Sequence, residues 1–319
     1  MLKNIFSVSN FYIGNKKIKL MKIFGKRIFS DKNILKAIQP KPIEHGLSGV
    51  CNKKFEDYVA IVAIAKDEAK NIKEWIEFHK LIGIDRFYFY DNESSDNTKE
   101  VLKPYIEDGS VIYHYIEGKS KQNAVYSDAI YRYKNNTTWM AIIDIDEYIV
   151  PIEKDNIKNF LKDYEKYPAV VINWILFDSN GYEKHPENKL ITEAYTRISK
   201  KPPKEYTIKS IIKPKEVEGI TSPHFCYYKN NKQAVNENFE KIFDDNWAYK
   251  TKTLSVNKIR LNHYYSKSFD DYINKINKGY ADRAGKGEIL PDLVNFPETT
   301  FDYEIQKYVP KLRKQMGLN

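Results

Sequence analysis

The sequence predicts an α/β fold: a mostly parallel, doubly wound sheet flanked by helices, followed by a helical C-terminal segment. Three observations predict it. The run Tyr58–Ala65, YVAIVAIA, is apolar throughout, as in strands of a parallel sheet covered on both faces. Strand-like runs alternate with segments of helical period, at the pace of βαβ units. A later core run, WMAIIDIDEYIV, is broken near its end by Asp144, Asp146 and Glu147. In such sheets ligands bind beyond the carboxyl ends of the strands.

The elements follow in order. After Tyr58–Ala65 comes KDEAKNIKEWIEFHKLIG, where Ile72, Trp75, Ile76, His79 and Ile82 fall at helical spacing and Gly83 supplies the stop. Arg86–Tyr90 is a second strand, ending in the turn and capping residues DNESSDNT. Lys99–Ile106 reads as a helix, Ser110–Ile116 as a third strand, Gln122–Lys134 as a helix and Met140–Ile145 as a fourth strand. Beyond Val150 the pattern loosens. Ala169–Phe177 is a strand, followed by the polar loop DSNGYEKHPEN; Tyr206–Lys213 and Lys258–Tyr265 also read as strands. Ser268 opens a helix with Asp271 placed for a capping box, and its apolar face is Phe269, Tyr272, Ile273, Ile276 and Tyr280.

Composition bounds the function classes. The chain has 319 residues, 42% apolar, with 25 Tyr and 16 Phe, so a substantial core is available. Lys and Arg number 52 against 43 acids, a net +9. That balance suits an anionic partner, whether nucleotide, nucleic acid or anionic membrane surface. Cys51 and Cys226 stand alone with no CxxC, which excludes a disulfide framework or zinc-thiolate site and fits a reducing, cytoplasmic setting. No apolar run approaches the ~20 residues of a membrane span. Residues 1–50 read as a basic extension ending in QPKPIEHGLSG. Two readings stay open for it: packing on the domain, or peripheral contact with the inner face of a membrane. The expected organisation is this extension, a main domain over 51–266, and a helical segment over 267–319.

The acids carry the chemistry. On a strand, Asp144 and Asp146 would point the same way while Ile145 turns into the core. Two convergent carboxylates repel, and burial raises at least one pKa unless a cation relieves them. Carboxylate oxygens suit Mg2+ or Mn2+, which keep positions open for phosphate oxygens. An Asp-x-Asp is common by chance; one closing an apolar strand within an alternating α/β pattern points to a metal-diphosphate site. The competing reading is two solvated acids in a turn.

The order of motifs resembles a GT-A nucleotide-sugar glycosyltransferase, most closely glycosyltransferase family 92 and bacterial family 2-like relatives. The resemblance rests on KDEAKNIKEWIEFHKLIGIDRFYFYDNESSDNT, QNAVYSDAIYRY, WMAIIDIDEYIVP, VINWILFDSNGY, KSIIKP, PHFCYY and NHYYSKS, in the family's order from about Val59 to Asp282. It implies a GT-A, Rossmann-like domain with the following roles. Lys66, Asp67 and Glu68 flank the donor's base; Asp91 and Asn92 hold uracil and ribose. Gln122 and Asp128 face the donor sugar. Asp144 and Asp146 bind the metal, His263 completes its ligands, and Lys267 faces the diphosphate. Against these stand plainer readings: a turn cap for Asp91, and for Gln122 and Asp128 polar side chains facing water from a helix. Glu147 is expected behind the ligands as a salt-bridge partner, and Lys275 and Lys278 in solvent.

The implied reaction moves a hexose from a nucleoside-diphosphate sugar, a UDP-sugar first, to a hydroxyl of a glycan or lipid-linked saccharide, with inversion. Inversion needs a general base near the acceptor hydroxyl. The family pattern Phe-Gly-Ser-x-Gly-His is here Phe177-Asp178-Ser179-Asn180-Gly181-Tyr182. Asp178 is therefore a candidate base or an Asx-turn residue, and His224 is the other candidate. Tyr182, Phe225, Tyr227 and Tyr228 could stack on sugar or pack in the core. A sugar-phosphate nucleotidyltransferase should carry a Gly-rich basic loop after the first strand, where this chain has KDEAKN. A non-catalytic carbohydrate- or nucleic-acid-binding module is the remaining alternative. Nucleic acid is not expected, because the residues at the sheet edge are acidic.

Overall fold

The computed structural model describes residues 6–13, 16–23, 26–28, 36–49, 55–199, 206–242, 250–279 and 291–318. Its centre is a ten-stranded sheet. The strands are β1 (Leu47–Ser48), β2 (Asp57–Ala65), β3 (Arg86–Asp91), β4 (Val111–Ile116), β5 (Thr137–Ile142), β6 (Glu147–Pro151), β7 (Ala169–Leu176), β8 (Tyr206–Ile212), β9 (Lys250–Thr251) and β10 (Ile259–His263). They lie in the order β1-β4-β3-β2-β5-β8-β7-β10-β6, with β9 beside β8. The first half, β4-β3-β2-β5, is parallel throughout. In the second half β7 and β10 are parallel while β8 and β6 run against their neighbours. The mostly parallel α/β sheet expected from the sequence is present.

The apolar run of β2 is explained by cover on both faces. Val59, Ile61, Ala63 and Ala65 enter one core with helix α1 (Ala69–Leu81), whereas Ala60, Val62 and Ile64 enter the other with helix α3 (Gln122–Tyr133). Helix α2 (Thr98–Glu107) joins the first core through Leu102 and Tyr105. The helical stripe read from the sequence is the buried face of α1: Ile72, Trp75, Ile76 and His79. His79 is structural. Its Nδ1 donates to the Trp75 carbonyl at 2.7 Å, and its Nε2 accepts the Ile149 N–H at 3.2 Å. Gly83, at φ +104°, provides the stop; a side chain there would also strike Asn156.

Register puts Ala65 beside Asp91 and Val62 beside Ile142. The segments that follow β2, β3 and β5 therefore leave the sheet along one edge. The fourth strand ends three residues earlier than expected, at Ile142. Ile143–Asp146 turns the chain, and β6 starts at Glu147 at the far side of the sheet. Asp144 and Asp146 thus sit in a turn and not two apart on a strand. Their carboxylates would crowd a pleat, and the turn lets each find its own cation.

Part of the N-terminal stretch is integral to the domain. β1 pairs antiparallel with β4, and Ile38 is buried against Gly219, where a Cβ would approach it to 2.6 Å. Phe6–Ile13, Lys16–Ile23 and Lys26–Ile28 form a separate antiparallel sheet. Side chains of residues 1–35 lie outside the described residues, and the expectation of membrane contact falls there. No helix among the described residues is long and apolar enough to cross a membrane.

The C-terminal segment folds back onto the domain. Helix α4 (Phe269–Lys278) has the expected capping box: Ser268 Oγ accepts the Asp271 N–H at 3.2 Å while Asp271 accepts from Ser268. Tyr272 and Ile276 are its buried residues, Phe269 is exposed, and Tyr280 lies outside the described residues. Helix α5 (Val309–Gln315) sends Leu312 into the core beside α1, and Thr299–Phe301 pairs with Arg197–Ser199.

Candidate active site

A cleft of about 360 Å³ opens along the edge where β2, β3 and β5 end, within the size range of small-molecule sites. It is lined by the acids Asp144, Asp146 and Glu68, by His263, Lys66, Lys275 and Lys278, and by Asn92, Gln122, Trp174 and Tyr265.

Each aspartate is held by its own ammonium. Asp144 Oδ2 accepts from Lys209 Nζ at 2.8 Å, and its Oδ1 accepts from Gln122 at 3.2 Å and the Tyr126 hydroxyl at 3.1 Å. Lys209 is 1% exposed and lies 3.3 Å from Glu147 Oε2 as well. Glu147 Oε2 also accepts the Asp144 N–H at 2.9 Å, tying the turn together. Asp146 Oδ2 meets Lys275 Nζ at 2.5 Å and His263 Nε2 at 3.4 Å.

The titration pattern follows from this placement. Burial alone would raise Asp146, yet Lys275 foremost, then His263 and Lys267, hold its carboxyl well below the usual range. Burial likewise opposes ionisation of Asp144, and Lys209 outweighs both it and the repulsion of Asp146. Glu147 is the acid that yields. Burial, with Asp144 and Asp146 adding, pushes it to about 8 against Lys209. The repulsion between the acids is thus relieved by lysines of the chain itself.

Several expected residues do come to the cleft: Lys66, Glu68, Asn92, Gln122, Asp144, Asp146 and His263. Others serve elsewhere. Asp67 Oδ1 accepts from the Ser95 and Asp96 N–H groups and staples two loops. Asp91 is buried, accepting from the Ser94 N–H at 2.8 Å and the Tyr113 hydroxyl at 2.7 Å, the turn-cap role. Asp128 does not line the cleft. Arg132 grips both its oxygens, Tyr90 donates to it at 2.7 Å, and the Ile43 N–H docks on it at 2.6 Å, so it anchors the 36–49 segment. Lys267 is off the wall, although its charge reaches Asp146.

Asp178 does not fit the part of a base. It is fully buried and bound by Arg197 at 3.0 and 2.7 Å, and it accepts the Asn180 and Phe296 N–H groups. Its lone pairs are committed to structure. His224 does not line the cleft itself but packs against Trp174, which does. Its Nδ1 lies 2.8 Å from the Ile208 carbonyl, which can only accept, so the neutral ring carries its lone pair on Nε2. Burial and Lys209 lower its pKa to about 4. His224 and His263 both pack edge-on against Trp174, at centroid distances of 5.6 and 4.3 Å. Of the aromatic residues considered for sugar stacking, Phe225, Tyr227 and Tyr228 are core residues.

Lys275, expected in solvent, is half-buried on Asp146, whereas Lys278 is exposed as expected but still engages the neighbouring loop. Lys278 donates to the Lys66 and Asp67 carbonyls and to Glu68 Oε1 at 2.6, 3.0 and 2.8 Å. Their signal was available as two lysines one turn apart on α4, as was the single Lys inside the apolar strand YTIKSII. Their partners were not.

Among the described residues, no three His, Cys, Asp or Glu side chains gather closely enough to hold a metal ion. The donor chemistry nevertheless suits one. Asp146 Oδ2 and His263 Nε2 are 3.4 Å apart in the cleft, and His263 Nδ1 is buried without a partner. In this structure lysines occupy both carboxylates, Lys209 on Asp144 and Lys275 on Asp146.

Acids, an imidazole and ammonium groups gathered in one cleft at the carboxyl edge of an α/β sheet mark it as a candidate ligand site. Residues 59–296 match the model of glycosyltransferase family 92, and the chain belongs to that family. A family 92 protein of Oryza sativa subsp. japonica is 25% identical over 232 residues, 71% of this chain and 39% of the relative. Galactan beta-1,4-galactosyltransferase GALS2 of Arabidopsis thaliana is 28% identical over 46% of this chain and 31% of its own. Beta-1,4-galactosyltransferase galt-1 of Caenorhabditis elegans is 26% identical over 63% of this chain and 46% of its own. The chain spans less than half the length of these relatives. Among solved structures, TarS of S. aureus overlaps 41% of this chain and 23% of its own, with a TM-score of 0.30 at 15% identity, too little to carry an argument.

Proposed function

We propose that the chain is a divalent-cation-dependent hexosyltransferase. It would take a UDP-sugar as donor, UDP-galactose first given the names of its relatives, and a glycan or lipid-linked saccharide hydroxyl as acceptor, with inversion. The observation that carries the reading is the lining of the cleft. Asp144, Asp146 and His263 line the cleft at the carboxyl edge of the parallel strands, together with Lys275 and Lys278. Asp146 and His263 would hold Mn2+ or Mg2+, with Asp144 completing the set. Bound there, the cation supplies Lewis-acid neutralisation of charge on the leaving diphosphate.

The chain's own residues do the rest. Lys209 fixes Asp144 and offsets Glu147, so the acid cluster does not repel itself open. Asn92 is pinned to the Ile116 and Gly118 carbonyls at 2.9 Å each, which sets its carboxamide at the mouth where the donor's nucleoside would lie. His224, neutral at pH 7 and packed against the cleft residue Trp174, is the residue that would take the acceptor's proton.

Titration of UDP with and without Mn2+ tests the reading. Micromolar binding that needs the ion and is lost in Asp146→Ala is expected; binding indifferent to both refutes it. For the base, His224→Ala should lower turnover by about 10² or more while leaving UDP affinity unchanged. Full turnover in that variant removes His224 from the mechanism.

A further inference from the structure

We propose that Lys275 is a tethered competitor of the divalent cation: its ammonium takes the ion's place on Asp146 in the free chain and turns to the donor's diphosphate when the ion arrives. The inference rests on the metal-dependent reading above.

Two lysines neutralise the acid cluster, and their surroundings differ. Lys209 is 1% exposed, closed in by Asp144 and Glu147, so it is a permanent counter-ion. Lys275 comes from α4 and its side chain is 33% exposed. Its four-carbon stem leaves the head free to swing toward the cleft.

The contact point is the one the ion would use. Lys275 Nζ lies on Asp146 Oδ2, the oxygen that also faces His263 Nε2 at 3.4 Å. An ion held by Asp146 and His263 cannot share that space with an ammonium, and two positive charges a few ångströms apart repel. The displaced head has a resting place. The Tyr265 carbonyl already accepts from it at 3.1 Å, and it lies 3.6 Å from the centroid of the Tyr265 ring. That position is on the cleft wall, within reach of a diphosphate.

The consequence is thermodynamic coupling. The ion alone must evict Lys275, so it binds weakly. With the diphosphate present, the evicted ammonium gains a new anionic partner, so ion and donor strengthen each other, and reciprocally. A chain without the ammonium should bind the ion more tightly alone and show less coupling.

The test measures Mn2+ binding by the electron paramagnetic resonance signal of the free ion, with and without UDP, on the full chain. Lys275→Met removes the charge and keeps the length. It should bind Mn2+ alone about tenfold more tightly than wild type, and UDP should improve that affinity by a smaller factor than in wild type. Lys275→Arg keeps a cation and should retain the weak affinity. Lys103→Met, an exposed lysine on α2 outside the cleft lining, should not change Mn2+ affinity in the absence of UDP. Equal Mn2+ affinity in wild type and Lys275→Met, with binding present in both, overturns this proposal and leaves the metal-dependent reading standing. Absence of Mn2+ binding in every variant, with UDP present, overturns both.

Discussion

Replacing Lys209 by Met is the sharpest test of how the acid cluster is held. Methionine matches the length of the stem and removes the charge. Asp144, Glu147 and Asp146 would then share a buried corner with Lys275, His263 and Lys267 against them. Breaking a buried ion pair by removing one partner costs about 3–5 kcal/mol. The lower end is expected here, about 3 kcal/mol at pH 8, because Glu147, already pushed to about 8, can take up a proton and remove one charge. The sign of the pH effect follows. In the variant the carboxyls have folded pKa values above their unfolded ones, so their penalty grows as pH rises and shrinks as they are protonated. The stability gap to wild type, measured by urea unfolding at pH 5.5 and pH 8, should therefore be larger at pH 8. Adding Glu147→Gln should recover part of the loss. A gap under about 1 kcal/mol at pH 8, or one that does not change with pH, would refute the account of Lys209 as the cluster's permanent counter-ion.

The structural assignments give three further expectations. Asp178→Asn should cost about 3 kcal/mol through the loss of its buried pair with Arg197. The folded variant should still turn over, whereas loss of a true base would lower the rate by about 10²–10⁴. Asp128→Ala should free the 36–49 segment, seen as faster cleavage there in limited proteolysis, without changing UDP affinity; a weakened UDP affinity with unchanged proteolysis would restore a sugar-facing role. Burial lifts Glu74 to about 7 from its ordinary 4.5, against hydrogen bonds from Thr192 and Ile191. A raised folded pKa means stability that is present at low pH and lost as pH rises through that window, by up to about 3 kcal/mol. Glu74→Gln should flatten the profile between those values, and an unchanged slope would discount the group.

Much of the site was legible because it depends on local pattern. The apolar run of β2, the stripe on α1 and the capping box at Ser268 are read from neighbours in sequence, since period and capping are short-range physics. Strand ends in a parallel sheet fall on one edge, so Lys66, Asn92, Asp144 and Asp146 could be gathered before any coordinates. Asp128 and Asp178 show the limit of pattern. Both occupy plausible positions, and the side chain that claims each depends on folded geometry: for Asp128 the docking of Ile43, for Asp178 the approach of Arg197 and Phe296.

The sequence by itself determined the α/β class, the edge that carries the chemistry and the acids that stand there. Only the tertiary structure decided which cation answers which acid. Lys209 is 65 residues from Asp144, and Lys275 is 129 from Asp146. Charge pairing acts through space over a few ångströms, and a chain's order does not record which distant lysine will come within that range.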